Sequence, residues 1–89
     1  MEQVTATIRD GDTILVDRVA TWIQVGESPS GLREWHGHLS LPEGVHLDAG
    51  GPFQLETSDG RSGQIIVTNV NISSDRPTQV TFTGTGPFG

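Results

Sequence analysis

Apolar and polar residues alternate along most of this chain, and short stretches of Gly, Pro, Asp and Ser interrupt the alternation. A period of two sends successive side chains to opposite faces of an extended strand, so the pattern predicts strands with one buried and one wet face. No stretch carries apolar residues at helical spacing, and no significant helix is expected.

The most complete signal lies between Gly51 and Ile72. Two runs, Phe53–Thr57 and Gln64–Val70, flank Ser58-Asp59-Gly60 and read as a hairpin. A two-residue turn at Asp59-Gly60 would pair Leu55 with Gln64 and send Ile65 and Val67 to solvent. A three-residue loop pairs Phe53 with Ile65 and Leu55 with Gly63 and gathers the apolar side chains on one face, so burial selects it. Gly60 takes the left-handed position in that loop, where a side chain would be strained.

Applied to Val4–Ile8 and Ile14–Val16, the same reasoning predicts a three-residue loop over Arg9-Asp10-Gly11, with Val4 opposite Val16 and Ala6 opposite Ile14. Beyond Asp17 the apolar parity switches from Ile14 and Val16 to Val19, Ile23 and Val25. One strand keeps both sets inward only with a bulge or bend near Asp17-Arg18. Gly26–Gly31 is a loop by composition. In the strand that begins at Leu32, Trp35, Gly37, Leu39 and Leu41 share the inward parity, while Glu34, His36, His38 and Ser40 face out; Pro42 ends the ladder. The link to Gly51 has room for a short extended piece at Val45-His46-Leu47. The last strand, Thr78–Thr83, turns Val80 and Phe82 inward, and Gly84–Gly89 holds its shape only if Phe88 docks. Six to seven short strands predict a single all-β domain over residues 1–89, a small antiparallel β-barrel or sandwich.

Composition changes the picture in three ways. Only 33% of the residues are hydrophobic, so the core is small, and self-association through an apolar face or a strand edge is expected. The formal charge is −6 and the basic residues Arg9, Arg18, Arg33, Arg61 and Arg76 are scattered. Nucleic acids and anionic membranes need clustered positive charge, so neither is an expected partner. Cysteine is absent, which removes disulfides and thiolate metal sites. The opening Met1-Glu2-Gln3-Val4 lacks the basic and apolar regions of a signal peptide, and the expected location is cytoplasmic.

Candidate chemistry is sparse. His36-Gly37-His38, followed by Glu43 and Gly50, resembles the first metal-binding motif of the cupin family, in which two histidines and a glutamate hold a divalent metal. Two histidines at i and i+2 do point to one side of a strand. Ser30 stands where the family has glycine, and no later histidine supplies a fourth ligand. The strand parity turns His36 and His38 toward water. The expectation is therefore no metal and no cofactor, with the cupin-like set His36, His38 and Glu43 as the alternative.

Glu34 and Glu56 sit at outward positions, and no nucleophile elbow precedes a helix, so no catalytic residue is assigned. Asp59-Gly60-Arg61-Ser62-Gly63 is similar to the short Asp-Ser-Gly motif of PilZ barrels, but its serine is displaced and no arginine pair precedes it at the family's spacing. A broader pattern is Trp35-x-Gly37-x-Leu39, then Asp59-Gly60-Arg61-x-Gly63, then Val80-x-Phe82-x-Gly84. It resembles one found in small bacterial all-β proteins of unassigned function, and the resemblance implies a barrel and no activity.

Arg61 is the one member of that pattern without a structural task. Facing Thr57 across the hairpin mouth, it is expected to bridge to a carboxylate, or to meet an anionic partner. Arg61, Trp35, His36 and His38 are the candidate interaction residues. The expected function is a non-enzymatic binding or assembly module for a protein partner or a second copy. A ligand carrier with its site near Trp22 or Trp35 is a third class.

Overall fold

The computed structural model describes residues 1–27, 29–31 and 33–89. Ser28 and Leu32, which the sequence assigns to the loop and to the start of the third strand, lie outside the described residues. The strands are β1 (Glu2–Asp10), β2 (Thr13–Glu27), β3 (Arg33–Leu41), β4 (Gly50–Thr57), β5 (Ser62–Asn71) and β6 (Thr78–Thr85). They are antiparallel throughout, in the order β1-β2-β3-β6-β5-β4, and β4 returns to β1 to close a barrel. Closure pairs each strand on both sides through the barrel wall, which removes most of the free edge expected from the sequence.

The β4–β5 hairpin has the register that burial selects, with Phe53 opposite Ile65 and Leu55 opposite Gly63. The Thr57 amide donates to the Arg61 carbonyl at 2.8 Å and the Gly60 amide to the Thr57 carbonyl at 3.1 Å, closing a loop in which Gly60 has φ 93°.

The first hairpin differs from the expectation. Ile8 lies opposite Val16 and Asp10 opposite Thr13, so the turn is Gly11-Asp12, led by Gly11 at φ 60°. A loop over Arg9–Gly11 would have set Ile8 opposite Asp12. The observed register instead buries Ile8 and Val16 and leaves Ile14 in solvent. The parity switch is resolved by a bulge: between Ala6↔Val19 and Ile8↔Val16, β2 spends one residue more than β1. Arg18 sits in that bulge at φ 46°, the left-handed region, and both Val16 and Val19 reach the core.

Inside the barrel, Ile8, Leu39, Leu55, Ile65, Val80 and Phe82 are wholly enclosed. The link over residues 42–49 contains no strand over Val45-His46-Leu47, yet Leu47 is buried and joins the core. Gly37 is required by packing, since a Cβ there would overlap the Trp22 carbonyl and lie 2.8 Å from the Phe82 ring.

At one end the ladders have unequal lengths. The β2–β3 ladder runs on to Glu27↔Arg33, whereas β1–β2 stops at Glu2↔Ile23 and β3–β6 stops at His36↔Thr83. The end of β2 and the start of β3 therefore stand out from the wall as a two-stranded ribbon. Val25 has inward parity but is 44% exposed, because it lies beyond the barrel.

Candidate functional site

The mouth beside that ribbon is plugged by one aromatic side chain. Trp35 leaves β3 just where β3 and β6 separate, and its inward parity carries the indole across the opening. It fits because two strands carry glycine beneath it. A Cβ at Gly84 would overlap the indole, and one at Gly63 would lie 2.6 Å from it. Gly63, which the hairpin register sets opposite Leu55, is thus the seat of Trp35. The Phe82 ring meets the indole edge-on, with centroids 6.2 Å apart at 69°.

Residues beyond β6 cover the outer face of Trp35. The indole N–H donates to the Gly86 carbonyl at 3.0 Å, and the Gly89 amide donates to the Ser62 carbonyl at 3.2 Å. Between these two anchors Phe88 stacks on Trp35 with centroids 4.5 Å apart at 24°. The far side of the Phe88 ring faces Arg61, whose guanidinium carbon is 5.0 Å from the ring centroid. Trp35, Phe88 and Arg61 form a three-layer stack.

Arg61 is held from behind by two carboxylates. Its two terminal nitrogens donate to Glu2 at 3.0 and 2.9 Å, a fork-to-fork pair, while its Nε and one terminal nitrogen grip Asp59 at 3.0 and 2.7 Å. The guanidinium beside it, assisted by the Thr57 hydroxyl, lowers the Asp59 pKa from the ordinary 3.8 to about 2. The same pairing raises the pKa of Arg61 above its ordinary value.

A cleft of about 650 Å³ opens between the ribbon and the 84–88 stretch. Val25, Trp35, Pro87 and Phe88 give it apolar walls, and Arg33, Glu34 and His36 give it a charged and polar rim. Along it, Arg33, Glu34 and Trp35 pair with β2 alone among the strands.

Of the sequence candidates, Trp35, His36 and Arg61 converge around this mouth. His38 does not. It lies on the outer wall, stacked on Trp22 of the neighbouring strand at 5.1 Å and 15°. Glu43 follows the far end of β3, on the order of 20 Å along the strand from His36, so the cupin-like set is not gathered. Among the described residues no group of three His, Cys, Asp or Glu is arranged to hold a metal ion. His46 pairs instead with Asp48 at 2.7 Å. Sequence reasoning missed Glu2 altogether, held Gly84 only as a pattern position without a role, and held Phe88 only through the condition that it must dock. No family model, curated protein or solved structure matches this chain, and the chemistry of the mouth rests on its geometry.

Proposed function

We propose that the domain is a non-enzymatic binding and assembly module that takes an extended segment of a protein partner, or of a second copy, into the cleft along β3. The observation that carries this reading is the unequal length of the ladders. Arg33–Trp35 are in strand conformation with β2 on one side and open cleft on the other. A strand in that state offers backbone donors and acceptors for strand addition, and adjacent side-chain pockets supply selectivity. The small core and the charged rim of both signs suit association through this end.

Two measurements on the whole protein test the reading: native mass spectra over a concentration series, and selection of random extended peptides displayed on phage. A higher-order mass or an enriched peptide, with slowed hydrogen exchange at the Arg33–Trp35 amides, supports it. A monomer that enriches no peptide, or association that leaves those amides exchanging as before, overturns it.

A further inference from the structure

The stack at the mouth has the construction of a receptor whose ligand is already in place. Its two walls do not depend on Phe88. Trp35 is seated by Gly63, Gly84 and the edge of Phe82, all of which remain if Phe88 leaves. Arg61 is fixed by Glu2 from β1 and by Asp59 from the β4–β5 loop, and among the described residues neither carboxylate hydrogen-bonds to the 86–89 stretch. A slot with an indole on one side and a clamped guanidinium on the other is preorganised for a flat π system.

The occupant is held more loosely than the walls. Strand β6 ends at Thr85, Gly86 follows at φ 84°, and among the described residues the stretch beyond is tied down, apart from the ring contacts of Phe88, by one hydrogen bond to Trp35 and one to Ser62. Phe88 itself remains partly exposed.

Building on the binding function proposed above, we infer that the Trp35–Arg61 slot receives an aromatic side chain from the partner's extended segment, and that Phe88 is its intramolecular placeholder. The chain's own Gly86-Pro87-Phe88-Gly89 shows the chemistry that fits: an aromatic ring flanked by residues small enough to cross the Trp35 face. A partner segment enters along the Arg33–Trp35 edge, and its ring displaces Phe88. Because Phe88 is tethered a few residues from its slot, it competes at an effective concentration on the order of millimolar. Partners without a suitable ring are thereby excluded.

The test uses full-length Phe88→Ala and the capped hexapeptide Gly-Thr-Gly-Pro-Phe-Gly as probe, read in nitrogen–proton NMR spectra at the Trp35 indole N–H and at the Arg33–Trp35 amides. Saturable movement of the indole signal is expected, about two- to fivefold weaker with Leu in place of Phe and absent with Ala. The native chain should need at least tenfold more peptide. If Phe88→Ala does not fold, Phe88→Leu replaces it, and the Phe peptide should displace its weaker occupant at lower concentration than in the native chain. Peptide that moves the Arg33–Trp35 amides but leaves the indole unmoved overturns the slot while leaving strand addition standing. No movement of either in a folded variant overturns the slot, and the phage selection then decides the binding function separately.

Discussion

Trp35 lies directly over Gly84, and its indole fills the volume that a side chain at position 84 would need. The glycine of β6 is therefore part of the tryptophan's binding site.

Gly84→Ala should destabilise the fold by about 1–3 kcal/mol, because overpacking forces either the indole or the β6 backbone to move. Gly26, on the projecting ribbon, serves as the control, since a Cβ at that position would meet nothing within 4 Å. Gly26→Ala should stay within about 0.5 kcal/mol of the native chain. Urea unfolding of both variants decides, and equal midpoints would contradict the seating of Trp35 on Gly84.

Arg18 holds φ 46° in the β2 bulge, a backbone region that β-branched residues avoid. Arg18→Val should cost about 1–2 kcal/mol, whereas Arg18→Gly should cost nothing or raise stability slightly. Because the Arg18 side chain is largely exposed, lost packing does not account for the difference. Chemical denaturation of the two variants measures it.

The Asp59 pKa falls from 3.8 to about 2 on folding through its bonds with Arg61 and Thr57. A lowered acid pKa stabilises the fold fully above the unfolded value, and that contribution disappears as pH drops through the folded one. The pH window is therefore roughly 4 down to 2. In the folded molecule Asp59 lets go of Arg61 only as the pH falls through about 2, leaving Glu2 as its partner, and the Trp35–Phe88 stack should then loosen, visible as a change in tryptophan fluorescence. In Asp59→Asn that acid transition should be diminished.

Leu47 belongs to no strand but is 3% exposed within the core. Leu47→Ala should cost about 2–5 kcal/mol, as for a core leucine in a strand. A loss under about 0.5 kcal/mol, the scale of a surface change, would mean that the link merely rests on the barrel. Thermal and urea unfolding both report it.

How far the sequence carries depends on how local the deciding force is. At Ser58–Gly60 one register gathers Phe53, Leu55, Ile65 and Val67 on the inner face, with all but the partly exposed Phe53 buried, and the other does not, so the loop is legible. At Asp10-Gly11-Asp12 two turns are chemically acceptable. There the choice falls on Ile8, which β4 also covers through its pairing with Leu55, a neighbour no hairpin rule supplies. The bulge at Asp17-Arg18 is legible because parity alone demands it. The Arg61 site is only half legible: Asp59 lies two residues away, but Glu2 is separated from Arg61 by 59 positions and arrives through barrel closure. Leu47 shows the converse, an apolar residue whose burial follows from a chain crossing the barrel end rather than from strand alternation.

The closing ladder between β1 and β4 has four residue pairs, from Ala6↔Thr57 to Arg9↔Gln54, against five to eight in each of the others. An Arg9–Glu56 ion pair and a bond from the Ser58 amide to the Thr5 carbonyl at 2.9 Å fasten the same line. Local opening draws on the least-paired backbone first. Opening is accordingly expected first along this single seam, which would leave a six-stranded sheet with β1 and β4 as its margins and its hairpins intact.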